Sequence, residues 1–213
     1  MSLSAIDVLL DPDRTMVERA SAANARLRAV FPAGFALGAE HAPHITVLQC
    51  FVRTADLHGV EAAVAAVFAQ VDLATLGLVA TGYYYLPWEG LGLAGITIAP
   101  TPALLDVQQS LIVAVAPFSA SGGGPAAFVG ATETPTILPT AAYVETFVPD
   151  HVGADYNPHV TVGLAPEDDV KAMVAAPFVE FVFGVESAAI YRLGDLGTAQ
   201  QKLWSSAEGK TAS

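Results

Sequence analysis

Apolar and polar residues alternate in several short stretches of the chain, and this period of two predicts β-strands. The first stretch contains Ile6, Val8 and Leu10. Further strands are predicted at about 44–51, 76–86, 92–99, 159–164, 178–184, 186–193 and 199–204. Apolar residues at helical spacing lie between them and predict helices at about 12–31, 54–67, 102–115 and 139–147, with another opening at Pro166. Asp11-Pro12 and Thr101-Pro102 are predicted helix entries, each a cap followed by proline.

The predicted elements occur in the same order twice: strand, helix, strand, helix, strand. Repeat one spans about residues 4–91, repeat two about 92–205, and a tail covers 206–213. A Gly/Pro-rich segment, residues 117–136, lengthens the second copy and is predicted to be a mobile loop lying over the protein. We therefore predict one bilobal α+β domain. Its two lobes would be related by a pseudo-twofold axis, each an antiparallel sheet with helices on the outer face, around a central cleft.

Composition narrows the classes of partner. The chain has 213 residues, of which 53% are hydrophobic, and a net charge of -12. An acidic protein repels a long polyanion, so RNA is disfavoured as a partner, whereas a small phosphate ligand remains compatible. Cys50 is the only cysteine and the N-terminus lacks a signal-peptide pattern, so we expect a cytoplasmic protein. The charge-free stretch 107–132 is broken by proline and glycine, which argues against a membrane span. We expect a monomer.

A short motif occurs once in each repeat, immediately after a proline. It reads His-apolar-Thr-apolar, at residues 44–47 and again at 159–162. On a strand, residues two apart point to the same side, so His44 and Thr46 share a face, as do His159 and Thr161. A fold that joins the two copies would bring together two imidazoles and two hydroxyls.

These residue types suit acid–base chemistry on a phosphate. An unperturbed histidine titrates at about 6.5, so one imidazole can accept a proton while the other donates one. The threonine hydroxyls would hydrogen-bond the phosphate oxygens. A two-histidine metal site is the alternative, but neither motif contains a carboxylate that would supply a third ligand. We expect no cofactor and no metal, and the sequence leaves open which histidine is the acid.

An aromatic run, Tyr83-Tyr84-Tyr85, lies on a predicted strand. Alignment of the two repeats pairs Tyr84 with Tyr191 and Tyr85 with Arg192. We predict that Tyr85 stacks on a base or sugar and that Arg192 offsets phosphate charge. The alternative is that both only pack in the sheet.

The remaining histidines, His41, His58 and His151, lie outside the motifs and are predicted to be surface residues.

The paired His-x-Thr-x motifs within a duplicated α+β chain resemble the 2H phosphoesterase superfamily, which includes the 2′-5′ RNA ligase-like proteins and cyclic phosphodiesterases. The resemblance implies that the catalytic residues are His44, Thr46, His159 and Thr161. It also implies a hydrolase that opens a 2′,3′- or 1″,2″-cyclic phosphate, or cleaves a 2′-5′ phosphodiester, on a small nucleotide-like substrate. The alternatives are a ligase-like activity on RNA ends and a nucleotide-binding module without catalysis.

Overall fold

The structure, a computed structural model, describes residues 2–39, 41–130, 134 and 136–207. These residues form two antiparallel sheets and five α-helices. The strands are β1 (Leu3–Pro12), β2 (Ile45–Arg53), β3 (Leu78–Trp88), β4 (Leu91–Ile98), β5 (His159–Pro166), β6 (Phe181–Phe183), β7 (Val185–Leu193) and β8 (Ala199–Ser205). The helices are α1 (Arg14–Val30), α2 (Leu57–Phe68), α3 (Pro102–Val115), α4 (Ile137–Asp150) and α5 (Glu167–Val174). The predicted α+β architecture of two antiparallel sheets is confirmed.

The sheets do not coincide with the sequence repeats. The first sheet has the order β2-β1-β7-β8 and the second β5-β4-β3-β6. Strands of each repeat therefore cross to the other sheet: β3 of repeat one pairs with β4, and β7 of repeat two pairs with β1. The two repeats are interlocked, and each motif strand, β2 or β5, is an edge strand of its sheet.

The helices also connect the two halves. Helix α1, from the first repeat, packs against β5, while α3 and α4 pack against β2. The start of α1 differs from the prediction, because the cap is Asp13, whose carboxylate accepts from the Met16 amide, rather than Asp11. The predicted cap of α3 is confirmed, since the Thr101 hydroxyl accepts from the Leu104 amide. None of the helices in the described ranges has the length and apolar character needed to cross a membrane.

The described part of the Gly/Pro-rich segment lies over the first sheet, as predicted, and is held there by many contacts. The Arg53 side chain donates to the carbonyl of Pro117. Phe128 is buried edge-on against the ring of Phe51. A Cβ on Gly123 would lie only 2.2 Å from that same ring, so a side chain there would push the loop away. The segment and α4, which is longer than predicted, thus form a second small core on the sheet.

Candidate functional site

The two motif strands carry the same irregularity at the same place. In β2, the ladder pairs Thr46 with β1 and then skips one residue, so that Val47 is left unpaired. In β5, the ladder pairs Thr161 with β4 and likewise skips Val162. One residue inserted into a ladder is a β-bulge, which bends the strand and re-aims its side chains. The strands β2 and β5 also contact each other, so the two sheets meet along the motif strands.

Each bulge leaves a backbone carbonyl that a buried amide side chain satisfies. Gln108 of α3 donates its Nε2 to the Val47 carbonyl at 3.2 Å. Asn24 of α1 donates its Nδ2 to the Val162 carbonyl at 2.9 Å. Both amides are almost fully buried, where an unpaired polar group would be costly. Each motif strand is therefore fixed by a helix that belongs to the other repeat.

The same two amides also hold the loops that lead into the motifs. The side-chain oxygen of Asn24 accepts from the Leu37 amide at 3.2 Å, in the loop before His44. The side-chain oxygen of Gln108 accepts from the Gly153 amide at 3.1 Å, in the segment before His159. We call Asn24 and Gln108 the amide braces, because each connects the loop of one motif to the strand of the other.

Both motif histidines have the same hydrogen bond. The Nδ1 of His44 lies 2.8 Å from the Ala42 carbonyl, and the Nδ1 of His159 lies 2.8 Å from the Asn157 carbonyl. A carbonyl can only accept, so Nδ1 must carry the proton. In the neutral ring Nε2 is then the lone-pair atom, and in the charged ring it is a donor. The proline that precedes each histidine separates it from the accepting carbonyl.

A buried carboxylate distinguishes the first half of the site. Oδ2 of Asp7, on β1, accepts from the Thr46 hydroxyl at 2.8 Å and from Gln49 Nε2 at 3.1 Å. The same oxygen lies 3.8 Å from His44 Nε2. Thr46 and Gln49 are three residues apart and would face opposite sides of a regular strand, but the bulge turns both toward Asp7. His44 and Thr46 thus share a face, as predicted.

Burial of the Asp7 carboxyl is energetically unfavourable. Its side chain is fully inaccessible to solvent, and Oδ1 has no hydrogen-bond partner among the described residues. Burial raises the pKa of Asp7, while the charge of His44 and the bonds from Gln49 and Thr46 act in the opposite direction. An apolar residue at this position would favour the stability of the folded protein. The presence of a carboxylate here therefore points to a role in function.

The second half of the site has an aromatic ring instead of a carboxylate. Tyr84, on β3, contacts the His159 ring edge-on, with 4.7 Å between ring centroids. Gly95 of β4 makes room for it, since a Cβ at this position would lie 2.2 Å from the Tyr84 ring. The imidazole therefore packs against an apolar surface.

These surroundings control the protonation of His159. Burial lowers the pKa of His159 to about 4, and the positive charges of His44 and His151 act in the same direction. The bond to the Asn157 carbonyl opposes these effects only in part. His159 is consequently neutral at physiological pH, with a lone pair on Nε2.

Side chains from α4 and the segment after it form a wall beside the two histidines. The Tyr143 ring lies 4.7 Å from the His151 ring. Tyr156 donates its hydroxyl to the Thr46 carbonyl at 2.7 Å. Burial, followed by the charge of Asp7, raises the pKa of Tyr143 to about 12. His151, predicted to be a surface residue, is partly exposed, and its ring lies tilted against that of Tyr143 where α4 packs on β2.

Comparison with known proteins supports the fold and the family. The sequence model of a family described as "2′-5′ RNA ligase superfamily" matches residues 16–195. The chain belongs to the 2′-5′ RNA ligase superfamily. Among solved structures, this superfamily member is similar to the protein TT0787 of Thermus thermophilus, at 17% identity over 94% of this chain and 96% of that chain, with a TM-score of 0.51.

A second solved structure, Escherichia coli LigT complexed with ATP, is similar at 15% identity over 96% of this chain and 97% of that chain, with a TM-score of 0.47. A comparison with curated proteins found no match. The TT0787 likeness agrees with the observed fold, and the resemblance to the 2H phosphoesterases is confirmed at the level of the superfamily.

The other predicted site residues of this superfamily member have different surroundings. Tyr85 faces away from its neighbour Tyr84, and its hydroxyl donates to Glu167 of α5 at 3.3 Å. The Arg192 guanidinium donates to the Ala127 carbonyl at 2.9 Å, in the Gly/Pro-rich segment. The structure therefore brings Tyr84, and not Tyr85, against His159, because alternate residues of a strand point to opposite faces. The roles predicted for Tyr85 and Arg192 in substrate binding stay predictions.

Two of the remaining histidines lie apart from the wall. The His58 side chain is 99% exposed, as predicted for a surface residue. His41 is partly buried, with its ring 5.1 Å from that of Phe35.

Sequence reasoning missed Asp7. Its only signal was an acidic residue in the middle of an otherwise apolar stretch, Ala5 to Leu10.

Proposed function

We propose that this chain is a phosphoesterase that opens a 2′,3′- or 1″,2″-cyclic phosphate, or cleaves a 2′-5′ phosphodiester, on a small nucleotide-like substrate. The observation that carries the proposal is the matched pair of histidines. Both use Nδ1 to bond a backbone carbonyl, so both keep Nε2 for chemistry. The two rings are close enough for the charge of one to lower the pKa of the other.

The different surroundings of the two histidines suggest their roles. His159 is the general base, because its lowered pKa of about 4 leaves Nε2 unprotonated and able to take a proton from water. His44 is then the general acid, which donates a proton to the leaving sugar oxygen. The carboxylate of Asp7, 3.8 Å from His44 Nε2, lies where it offsets the charge of an imidazolium.

The phosphate would bind between the two motif strands. The Thr161 hydroxyl has no side-chain hydrogen bond within the part of the chain that the structure describes, so it is available to donate to a phosphate oxygen. Thr46 would contribute a second hydroxyl from the opposite strand. Tyr84, against the His159 ring, offers an aromatic surface on which a base or sugar stacks.

The surroundings of the site favour a small substrate. The wall of Tyr143, His151 and Tyr156 stands beside the histidines, and α4 covers part of β2. The net charge of -12 further disfavours a long RNA chain, for which positive charge is the usual source of affinity. Joining of RNA ends is therefore the less favoured alternative.

The test is a screen of purified protein against nucleoside 2′,3′-cyclic phosphates, ADP-ribose 1″,2″-cyclic phosphate and 2′-5′ oligonucleotides, with and without a chelator. Among the described residues, no group of three or more His, Cys, Asp or Glu side chains is placed to hold a metal ion. We therefore expect turnover of at least one substrate, undiminished by the chelator. His58→Ala, at an exposed site, should retain full activity. Loss of activity on chelation, or joining of RNA ends without hydrolysis, would contradict the proposal.

A further inference from the structure

The Thr46 hydroxyl has only one proton, and in this structure it donates that proton to Asp7. A serine or threonine hydroxyl is a single donor, although it can accept twice. While the bond to Asp7 is present, Thr46 cannot also donate to an anion in the cleft, by which we mean the space between β2 and β5 where the phosphate would bind. The hydroxyl of Thr161, its counterpart on β5, has no hydrogen-bond partner within the described part of the chain.

A charged Asp7 also opposes an anion directly. Oδ2 lies 3.8 Å from His44 Nε2, the atom that the proposed reaction places against the phosphate. Oδ1 is buried without a partner among the described residues, so the carboxylate lacks the hydrogen bonds that a buried charge requires. Two negative groups close together in a poorly solvated site repel each other strongly. A proton on Asp7 would remove this repulsion.

The same proton would reverse the hydrogen bond. A protonated carboxyl is a donor, so it can donate to the Thr46 oxygen and leave the hydroxyl hydrogen free to point into the cleft. We propose that Asp7 is a positioning residue that holds a proton while an anion occupies the cleft, and thereby switches the Thr46 hydroxyl from donating to Asp7 to donating to the anion. This inference deepens the proposed function and rests on it for the place where the phosphate binds.

Other titratable groups surround Asp7 and contribute to the same equilibrium. They are His44 and Cys50 of β2, Tyr143 of α4 and Tyr156 in the segment before β5. The raised pKa of Asp7, caused mainly by its burial, agrees with a carboxyl that takes up a proton readily. The inference itself stands on the contacts of the two carboxyl oxygens.

Sulfate is the probe for the test, because it is an anion that is neither hydrolysed nor titrated near neutral pH. Its affinity is measured by calorimetry from mildly acidic to mildly alkaline pH, for wild type, Asp7→Asn and Asp11→Asn. The asparagine amide donates as the protonated carboxyl would, so Asp7→Asn should bind sulfate about tenfold more tightly than wild type at alkaline pH, with a flatter pH dependence. Asp11 lies on the same strand and accepts from the Ser187 hydroxyl, so Asp11→Asn should behave as wild type.

A second variant tests the role of the hydroxyl. Thr46→Val in the Asp7→Asn background should abolish most of the gain, because no hydroxyl remains to be redirected. For wild type, calorimetry in buffers of different ionisation enthalpy should show proton uptake on sulfate binding, and less uptake for Asp7→Asn.

Equal pH dependence in wild type and Asp7→Asn, a gain that survives the loss of the hydroxyl, or no sulfate binding by either protein would overturn the inference. Failure to hydrolyse cyclic phosphates, with these sulfate results intact, would instead overturn only the proposed function.

Discussion

The edge strands β2 and β5 surround their histidines with the same three features. Each histidine donates Nδ1 to the carbonyl two residues earlier, each strand has a bulge directly after the motif threonine, and each bulge carbonyl accepts from an amide brace. The amide braces also connect the two halves, because each bonds the loop before one motif and the strand of the other. The duplicated sequence thus reproduces the geometry of the motif with the same kind of bond at each step.

The two halves differ in what lies against each ring. Three residues after Thr46, Gln49 pairs with Asp7, whereas at the matching position of the other half Leu164 pairs with Leu93. The carboxylate beside His44 therefore has an apolar counterpart, Leu93, in the other half.

A second difference lies one strand further in. Leu9 pairs with Thr46 and with Ala189, whereas its counterpart Gly95 pairs with Thr161 and with Tyr84. The glycine makes room for the ring that packs on His159. Duplication supplies two equivalent imidazoles, and a few substitutions around them are enough to give one a charged partner and the other an apolar one.

The largest loss of activity is expected from removal of either histidine. His44→Ala and His159→Ala should each lower turnover by roughly 10²–10⁴-fold, which is the usual contribution of a positioned proton-transfer group. The double variant should lose less than the product of the two effects, because the pair acts as a unit. The measurement is kcat on a cyclic phosphate that the wild type hydrolyses. Full activity of His159→Ala would contradict the two-histidine mechanism.

The pH profile distinguishes the two histidines. The base is active when neutral, and burial lowers the pKa of His159 to about 4. Turnover should therefore persist in acid until the pH falls to about 4, well below the usual histidine range, and decline beneath it. It should decline again in alkali as the acid loses its proton. An acid limb at the pKa of an unperturbed histidine, near about 6.5, would show that His159 is not the base.

Replacement of the two threonines should lower turnover by different amounts, and both losses should be smaller than those from the histidines. Thr161→Val removes a hydroxyl that has no other partner among the described residues, and it should lower turnover by roughly 10- to 10³-fold. Thr46→Val should cost less, because that hydroxyl donates to Asp7 and is released to the phosphate only when Asp7 takes up a proton. Comparison of kcat for the two variants at one pH, with Thr140→Val as a control outside the site, tests this order. A larger loss from Thr46→Val would mean that its hydroxyl donates to the phosphate throughout.

Most of the fold could be predicted from the sequence, because alternation and helical spacing are local patterns. The shared face of His44 and Thr46 followed from the period of a strand. The choice between Tyr84 and Tyr85 did not, because it depends on which face of the sheet meets the cleft. Alignment of the repeats paired Tyr84 with Tyr191, whereas the ladders place it at the position of Ala189.

Each amide brace is predicted to stabilise the motif strand of the other repeat. Gln108→Leu would leave the Val47 carbonyl and the Gly153 amide unpaired, and should lower the free energy of unfolding by about 1–3 kcal/mol. Asn24→Leu should have a similar effect on the other strand. Gln109→Leu, on an exposed face of the same helix, is the matched control. Denaturant unfolding measures stability, and a Gln108→Leu variant as stable as this control would contradict the bracing role.

The site was less predictable than the fold because its decisive residues lie on other strands. The exchange of β3 and β7 between the sheets brings Tyr84 to His159 and leaves the sequence repeats interlocked. In the sequence, Asp7 is one polar residue in an alternating strand, and such residues usually face solvent. Two residues before it, Ala5 packs in the second core formed with α4 and the Gly/Pro-rich segment, which lie more than a hundred residues away in the sequence.

The smallest effect is expected at Asp7, in stability. Burial raises the pKa of Asp7 in the folded protein above its unfolded value of 3.8, so the folded state binds this proton more tightly than the unfolded state does. The stability that the proton contributes is fully present below the unfolded pKa, and it is lost as the pH rises through the folded pKa. Asp7→Asn does not titrate and should therefore equal wild type in acid and exceed it at neutral and alkaline pH. The expected gain is about 1.4 kcal/mol for every tenfold by which folding strengthens proton binding at Asp7.

Asp7→Leu would place at this position the residue that the other half carries. It should also gain stability with rising pH relative to wild type. Because leucine neither repels an anion nor accepts the Thr46 proton, this variant should also gain affinity for sulfate. Denaturant unfolding at acidic and alkaline pH, with Asp11→Asn as the control, gives the measurement. If wild type were instead the more stable protein at alkaline pH, the charged carboxylate would be a stabilising partner of His44, and the two halves would differ by a salt bridge rather than by a group kept for function.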